Sequence, residues 1–214
     1  AMRAFLRADP DIIMIGEMRD SETASVAIEA SLTGHLVLST LHTNSAAESI
    51  VRLLDMDMDP FNFADALTGI LSQRLVKTLC TSCKKPYHPE DRELEFLAVE
   101  YCREAVPDGS RADPKEEDVL SQLSEWKTLY TQKDEFTLYK SPGCLDCLET
   151  GYRGRMGVHE LIMSTPEIKK MILRRAPASE IHYAAITTGM RTRKQDGIEK
   201  ILLGYTDYTQ IRTL

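Results

Sequence analysis

Short apolar runs alternate with amphipathic segments in the first part of the chain. The runs at residues 11–15 and 36–38 are rich in Ile, Leu, Met and Val, and short apolar runs bounded by polar residues are typical of buried strands. Asp20 can cap a helix between the two runs, and Ser45 with Glu48 forms a capping-box pattern for a helix after the second run. This alternation of strand and helix predicts an α/β fold with parallel strands.

The pattern changes after Leu79. Residues 90–135 are charged and contain few β-branched side chains, which indicates short helices in a solvated insertion. Residues 142–160 are rich in turn formers, whereas residues 165–214 carry the spacing and capping signals of helices. The small core expected within the insertion consists of Leu94, Phe96, Leu97, Leu120, Leu123 and Trp126.

The charge of the chain is concentrated in that insertion. The net charge is −7, and residues 90–135 carry 14 acidic and 6 basic side chains, whereas the rest of the chain is nearly neutral. Nucleic-acid-binding proteins usually carry a basic domain or stripe, and this chain has neither, so we expect no nucleic-acid partner. No apolar run approaches the roughly 20 residues that a membrane-spanning helix needs. We therefore expect a soluble chain, or the soluble part of a longer one.

Four of the five cysteines form two Cys-x-x-Cys pairs, Cys80 with Cys83 and Cys144 with Cys147. Each pair can contribute two thiolates to one tetrahedral zinc ion, and a site closed by four thiolates is structural because no position is open to water. The 60 residues between the pairs are tolerable, since the entropy of closing a loop rises slowly with its length. Redox-active cysteines and buried thiols are the alternatives. The fifth cysteine, Cys102, is expected to be a small buried apolar side chain.

A polar turn, Gly16-Glu17-Met18-Arg19-Asp20, follows the first predicted strand. Ligands of α/β proteins bind outside the carboxyl ends of the strands, and a glycine there lets a ligand approach the backbone closely. A carboxylate at Glu17 can orient or deprotonate an attacking water. The alternative is that Glu17, Arg19 and Asp20 form only a surface turn and a helix cap.

Two histidines flank the second predicted strand. His35 precedes it and is expected to orient the loop, whereas His42 follows it, at the same edge of the sheet as Glu17. His42 can donate a hydrogen bond to a terminal phosphate oxygen, and Thr40 and Thr43 beside it can supply hydroxyl donors. The alternative is that these side chains only cap the following helix.

Together these segments resemble the secretion superfamily of ATPases, and most closely the type II secretion ATPases (general secretion pathway E proteins). The sequence RADPDIIMIGEMRDSETA is similar to the family's Walker B box, and TGHLVLSTLHTNSA is similar to its histidine box. The sequences SQRLVKTLC, GYRGRMGVHEL and GMRTRKQDGIEKILLGYT are similar to further stretches of the family. The resemblance does not extend to the acidic segment.

The resemblance implies a RecA-like P-loop NTPase core with an incomplete parallel sheet. Residues 1–79 would be the C-terminal half of that core. Residues 80–147 would be a tetracysteine zinc subdomain that carries the acidic helical insertion, and residues 148–214 a helical C-terminal subdomain.

The resemblance also implies roles for individual residues. Glu17 would be the catalytic carboxylate, and Gly16 would stand where many ATPases have an aspartate. His42 would sense the γ-phosphate, and Arg155 would lie near the adenine. The four paired cysteines would bind structural Zn²⁺, while ATP and Mg²⁺ would be the ligands of the whole enzyme.

The function implied by the resemblance is that of a homohexameric motor. Such a motor hydrolyses ATP to power type II protein secretion through pseudopilus assembly, and it works in the cytoplasm, peripheral to the bacterial inner membrane and its secretion platform proteins. One alternative is the same chemistry in type IV pilus assembly. An alternative of a different class is a zinc-stabilised protein-interaction module, in which the acidic insertion docks a partner and the nucleotide residues are vestigial.

The sequence departs from this family in what it lacks, which includes the family's aspartate box and its N-terminal domains. It contains no G-x-x-x-x-G-K-[ST] motif, and therefore no P-loop lysine and no P-loop hydroxyl for magnesium. A parallel sheet of only two strands also cannot bury both of its faces or satisfy the hydrogen-bonding groups at its edges. We therefore expect that an N-terminal part of the ATPase domain is missing, and that the chain by itself neither binds ATP tightly nor hydrolyses it.

Overall fold

The computed structural model describes residues 10–105, 113–131 and 136–214. The first three residues of the Walker B-like segment (7–9), and residues 106–112 and 132–135 of the acidic segment, lie outside the described residues. The chain divides into two compact units, each assembled from separate stretches. Of the described residues, the first unit contains those up to Ser72 and Leu161–Met190, and the second contains Gln73–Glu160 and Arg191–Leu214. The three-part division at residues 79 and 147 stays a prediction.

The first unit combines two short parallel strands with helices. Its elements are β1 (Ile12–Ile15), α1 (Ser21–Leu32), β2 (Leu36–Ser39), α2 (Ala46–Asp55), α3 (Pro60–Ala66), the beginning of β3 (Gly69–Leu79), the end of β6 (Tyr152–Met163), α6 (Pro166–Leu173) and α7 (Ala178–Thr187).

The strands β1 and β2 form a parallel pair, as the sequence predicts. Ile12 lies opposite Leu36, and Ile15 lies opposite Ser39. A parallel pair needs a crossover connection, and α1 supplies it. Since both strands run in the same direction, both end at the same edge of the sheet.

Local signals in the sequence set the helix boundaries here. The Asp20 carboxylate accepts a hydrogen bond from the N–H three residues later at 2.7 Å and so begins α1. Gly34 follows α1 with a φ of +101°, a conformation that favours glycine. Ser45 caps α2 as predicted, but the Glu48 carboxylate accepts from the N–H of Asn44 and not from that of Ser45. The predicted capping box is therefore not reciprocal.

An apolar core holds the helices of the first unit together. Ile50 and Leu53 of α2 pack in one cluster with Ile168 and Ile172 of α6 and with Ile181 of α7. All five side chains are at most 5% exposed. The stretch that contains β1 and β2 is thus joined by its helices to a stretch more than 100 residues later in the chain.

The second unit contains the cysteine pairs and the acidic segment. Its elements are the rest of β3, β4 (Lys85–Tyr87), α4 (Asp91–Arg103), α5 (Glu116–Tyr130), β5 (Leu138–Lys140), a 3₁₀ turn (Leu145–Cys147), most of β6, α8 (Arg193–Leu202) and α9 (Tyr208–Ile211).

The described helices of the acidic segment do not form a separate small core, so that expectation was wrong. Leu97 of α4 and Trp126 of α5 pack in one cluster with Val76 of β3 and Ile198 of α8. Leu120, expected in the core, is 58% exposed. The described helices of the segment are also long, at 13 and 15 residues. Distant parts of the chain supply the apolar partners that these helices lack locally.

Polar contacts attach the same segment to α8 and α9. The Tyr101 hydroxyl donates to the Glu199 carboxylate at 2.9 Å, and the Tyr208 hydroxyl donates to Glu100 at 2.8 Å. Lys194 forms an ion pair with Glu100 at 2.6 Å, with Glu100 only 6% exposed. Buried charges of this kind are stable only when they are paired, so these bonds fix the position of α4 on α8.

The two longest strands of the described residues were not predicted from the sequence. β3 and β6 have 11 and 12 residues and pair with each other. Gly154 and Gly157 lie within β6, and glycines in a strand weaken its sequence signal. The α/β class itself is confirmed. None of the helices in the part of the chain that the structure describes is long and apolar enough to cross a bilayer.

A substitution in α8 tests whether the acidic segment shares its core with that helix. Ile198 is fully buried, so Ile198→Ala should cost about 2–5 kcal/mol of unfolding free energy. The single tryptophan, Trp126, lies in the acidic segment, so its fluorescence should report an unfolding midpoint at lower urea concentration. Leu203→Ala, at a side chain that is 51% exposed, is the control and should change stability by no more than about 0.5 kcal/mol. An unchanged Trp126 transition in Ile198→Ala would show that the segment folds separately.

Candidate functional site

The carboxyl ends of β1 and β2 bring the predicted acid and histidine together. Glu17 follows β1 by two positions, and His42 follows β2 by three. Oε2 of Glu17 lies 3.3 Å from Nε2 of His42. The pairing of two parallel strands thus converts a separation of 25 positions in the sequence into a direct side-chain contact.

Arg19 occupies the other side of the Glu17 carboxylate. Its guanidinium forms an ion pair with Oε1 of Glu17, while His42 lies at Oε2. The Glu17 side chain is only 27% exposed, whereas those of Arg19 and His42 are 76% and 85% exposed. The carboxylate therefore lies at the base of the site, and the side chains of Arg19 and His42 lie on its solvent side.

The electrostatics keep Glu17 ionised. The hydrogen bond from Arg19 is the largest effect and lowers the pKa of the Glu17 carboxyl below its usual value. Partial desolvation raises this pKa, and the charges of Arg19 and His42 lower it further, so the net direction is downward. An ionised carboxylate at neutral pH is the form that can accept a hydrogen bond from a water molecule and orient it.

The space above Gly16 is open to a ligand. A Cβ atom built on Gly16 would meet no heavy atom of the described residues within 4 Å. Polar groups at the carboxyl ends of parallel strands, with an open backbone beside them, are the usual setting for phosphate ligands in α/β proteins. The geometry therefore suits a ligand that contacts Gly16, Glu17 and His42 together.

Two hydroxyl groups that the sequence offered as phosphate donors are already engaged. The Thr40 hydroxyl donates to the carbonyl oxygen of Gly16 at 2.6 Å. The Thr43 hydroxyl lies 2.6 Å from that of Ser49 and 3.2 Å from the carbonyl oxygen of Ser45. A hydroxyl has one proton to donate, and Thr43 belongs to the start of α2, so the role of Thr40 and Thr43 as phosphate donors stays a prediction.

Of the other polar residues near these strands, His35 and Asp20 have structural contacts and Arg19 contacts the predicted acid. His35 lies with Nδ1 at 3.0 Å from the carbonyl oxygen of Ala30, at the end of α1, and thus orients the loop as expected. Asp20 serves as a helix cap. Arg19 contacts Glu17 directly. The sequence indicated Arg19 only as part of a surface turn. The spacing Glu17-x-Arg19 is the signal that could have indicated this pair.

Arg155 lies in β6, in the second unit, and its side chain is exposed. β6 carries it in the Tyr-Arg-Gly-Arg-Met-Gly stretch that the resemblance singles out. Its assignment to adenine rests on that resemblance and stays a prediction.

The four paired cysteines form a single cluster in the second unit. Their Sγ atoms all lie within 4.8 Å of one another. Neighbouring sulfurs are 3.7 Å apart for Cys144 and Cys147, 3.9 Å for Cys80 and Cys144, and 4.0 Å for Cys83 and Cys147. A tetrahedral ion with bonds of about 2.3 Å to four sulfurs would hold them about 3.8 Å apart. The donor set and its spacing therefore fit one zinc ion.

Backbone N–H groups stabilise negative charge on one of these sulfurs. The N–H groups of Cys144 and Gly151 donate to Sγ of Cys147 at 3.2 and 3.3 Å. Burial raises the pKa of the Cys147 thiol, but these hydrogen bonds outweigh it and lower the pKa to about 7. Burial raises the pKa of the Cys144 thiol to about 12. A thiolate is the form that binds metal, so Cys147 is prepared for a cation.

Two glycines allow the second cysteine pair to fold tightly. Gly143 has a φ of +110°, and a Cβ there would lie 2.7 Å from the carbonyl oxygen of Glu149. Gly151 has a φ of +77°, and a Cβ there would lie 2.4 Å from that of Ser141. No other residue type fits either position without moving the backbone. Cys102 is buried in the apolar cluster of α4 and α5 and is not one of the four clustered cysteines.

The ion pair of Arg19 with Glu17 can be tested by titration. Arg19→Gln removes the main cause of the low pKa, so the pKa of Glu17 should rise toward its usual value. Carbon-13 NMR of the glutamate carboxyl signals measures it, with Glu17→Gln used to assign the signal. Arg174→Gln removes another exposed arginine, paired with Glu180, and should leave Glu17 unchanged. The interpretation is wrong if both variants shift Glu17 equally or neither does.

Metal analysis tests the cysteine cluster. We expect purified chain to contain one zinc ion, and Cys144→Ser to lose it because three thiolates and a hydroxyl bind zinc more weakly. Loss of the ion should also lower the thermal unfolding midpoint, since binding free energy stabilises the folded state. Cys102→Ala is the matched control and should keep its zinc. Parent protein without stoichiometric metal, or Cys144→Ser that retains it, contradicts the zinc assignment.

The chain matches a known family over nearly its whole length. The model of the family described as "Type II/IV secretion system protein" matches residues 1–213. The chain is 44% identical over 211 residues to the type IV pilus assembly ATPase PilB of Thermus thermophilus, with 99% of this chain and 20% of that protein covered. It is 39% identical over 210 residues to the type II secretion system protein E of Pseudomonas aeruginosa, with 98% and 36% covered. The chain thus spans about a fifth to a third of the length of these relatives.

Solved structures show the same fold. The ATPase DotB of Legionella pneumophila matches with a TM-score of 0.56 at 20% identity, over 99% of this chain and 40% of DotB. The pilus retraction motor PilT, solved with bound ADP, matches with a TM-score of 0.57 at 22% identity, over 99% of this chain and 41% of PilT. These likenesses confirm the expected NTPase fold, and the relatives confirm the resemblance. The expectation that the resemblance leaves out the acidic segment was wrong, since the family match runs through it. The chain belongs to the family of type II/IV secretion ATPases.

Proposed function

We propose that this chain supplies the water-orienting and phosphate-sensing side chains of an ATP-hydrolysing secretion motor. The observation that carries the proposal is the contact of Glu17 with His42, 3.3 Å apart at the carboxyl edge of β1 and β2. An ionised carboxylate and an exposed imidazole at this edge suit a ligand with a terminal phosphate. Family membership supports the same reaction.

In the proposed reaction, Glu17 accepts a hydrogen bond from the water that attacks the γ-phosphate. Its lowered pKa keeps the carboxylate ionised for this role at neutral pH. His42 is 85% exposed, so it can donate to a phosphate oxygen without rearrangement of the backbone. Both partners of the carboxylate carry N–H donors, so each can exchange its contact with Glu17 for one with a phosphate.

The remaining contacts to the nucleotide come from elsewhere in the motor. The chain contains no G-x-x-x-x-G-K-[ST] motif, whose backbone N–H groups, lysine and hydroxyl would hold the phosphates and Mg²⁺. We propose that a P-loop outside these 214 residues provides them. In this proposal the chain by itself is therefore inactive. Gly16 and Arg155 are its further proposed contacts to the nucleotide.

The proposed assembly is a homohexamer at the cytoplasmic face of the bacterial inner membrane, where it acts on the secretion platform. Membership in the family supports this part of the proposal. The proposed role of the cysteine cluster is architectural, since four thiolates around zinc leave no position open for water.

Two cargo assignments fit this motor. Type II secretion through pseudopilus assembly is the first, in line with the relatives named type II secretion system protein E at 38–39% identity. Type IV pilus assembly is the second, in line with the relatives named type IV pilus assembly ATPase PilB at 38–44% identity.

A chimera tests the chemistry. In the Thermus thermophilus relative, the segment matched to this chain is replaced by the chain, and ATP hydrolysis is measured. We expect turnover in the chimera, a loss of about 10²- to 10⁴-fold in kcat with Glu17→Gln, and a smaller loss with His42→Ala. Glu29→Gln, at an exposed glutamate of α1, is the matched control and should keep full activity.

The outcomes separate the proposed function from its rival. A folded hexameric chimera without hydrolysis supports the zinc-stabilised interaction module. Turnover that survives Glu17→Gln removes Glu17 from the reaction. The isolated 214-residue chain should show no turnover above its own Glu17→Gln variant. Two further chimeras separate the cargo assignments. One is expressed in a strain that lacks the pilus assembly ATPase and is scored by restored pili. The other is expressed in a strain that lacks the type II secretion protein and is scored by restored secretion.

A further inference from the structure

One residue bonds to both neighbours of Glu17. The Thr40 hydroxyl donates to the carbonyl oxygen of Gly16 at 2.6 Å, and the Met18 N–H donates to the carbonyl oxygen of Thr40 at 3.1 Å. Glu17 lies between these two anchored residues, and His42 follows Thr40 by two positions. The bonds therefore tie the backbone on either side of the acid to the segment that carries the histidine.

These bonds lie beyond the regular pairing of the strands. The register of β1 with β2 ends at Ile15 opposite Ser39, so Gly16 and Thr40 are the first residues past the ladder. Chain segments past the end of a sheet are usually more mobile than the sheet itself, and these two bonds hold Gly16 and Met18 against the residue that follows β2.

The chemistry of threonine suits this task. Its branched Cβ restricts χ1, so a hydroxyl bonded to a backbone carbonyl is held in one direction. At 2.6 Å, the Thr40 bond lies at the short end of the range for O–H···O bonds. A water molecule could satisfy the Gly16 carbonyl in place of the hydroxyl, but it would not connect the two segments.

We propose that Thr40 is a positioning residue that sets the separation of Glu17 and His42. The hydrogen bonds described for Thr40 go to Gly16 and Met18, so it acts through the backbone on either side of Glu17. The proposal rests on the proposed function for its catalytic meaning. The geometric claim itself concerns only the 214-residue chain and needs no nucleotide.

The experiment is NMR on the isolated chain. In the parent, protons of the His42 ring should show a nuclear Overhauser cross-peak to the side-chain methylene protons of Glu17, because the two groups meet at 3.3 Å. Thr40→Val keeps the shape of the side chain and removes the hydroxyl, so this cross-peak should be lost. Thr40→Ser restores the hydroxyl and should restore the cross-peak. Thr40→Ala is a second variant without the hydroxyl, in case valine disturbs the fold.

A matched control separates positioning from general stability. Thr33→Val removes a hydroxyl that donates to the carbonyl oxygen of Ala30 at 2.8 Å, at the opposite end of β2. It should keep the Glu17–His42 cross-peak even where its unfolding midpoint falls. Thr40 is exposed, so its substitutions leave no cavity and should keep the amide spectrum of the folded chain.

Each result bears on the proposal. Loss of the cross-peak in Thr40→Val and Thr40→Ala, with recovery in Thr40→Ser, supports it. A cross-peak that persists in either hydroxyl-free variant overturns it, as does a loss in Thr40→Ser or in Thr33→Val. None of these results depends on ATP hydrolysis. A chimera without turnover therefore contradicts the proposed function while this positioning role stands.

Discussion

The parallel pairing of β1 with β2 is the constraint on which the candidate site depends. Parallel strands end at the same edge, so the residues that follow them converge whatever their distance in the sequence. An antiparallel pair would place Glu17 and His42 at opposite edges. The crossover helix α1, capped by Asp20 at one end and closed at Gly34 at the other, enforces the parallel arrangement. The chemistry of the site is thus a consequence of strand direction.

The sequence predicted those features that depend on local signals or on strand direction. The helix caps at Asp20 and Ser45 are local, and the meeting of Glu17 with His42 follows from two parallel strands. The contact of Arg19 with Glu17 and the bonds of Thr40 were missed, because they depend on side-chain conformations that spacing does not determine. Residue type showed that Thr40 has a donor, and only coordinates show that Gly16 receives its proton.

The packing partners of α4 and α5 were not predicted for a different reason. Trp126 stacks edge-to-face on Tyr101 of α4, and its apolar cluster also contains Val76 of β3 and Ile198 of α8, 50 and 72 positions away in the sequence. A helix reveals its apolar face in its own sequence, but it does not reveal what covers that face. The charged surface of α4 and α5 was therefore interpreted as a solvated insertion, although Leu97 and Trp126 are nearly fully buried. The cysteine pairs were predicted correctly to cluster because their spacing specifies a common ligand.

The site and the cysteine cluster illustrate opposite uses of polar groups. The cluster is closed, since its four sulfurs face one another and one of them, Sγ of Cys147, accepts two backbone N–H donors. The Glu17 carboxylate is also satisfied, but by two side chains that are more than three-quarters exposed. Exposed ion pairs contribute little to stability because water competes for both charges. Arg19 and His42 can therefore leave Glu17 for a phosphate at small cost. A carboxylate held by such partners keeps its ionised form and its position, yet it remains available to an incoming water.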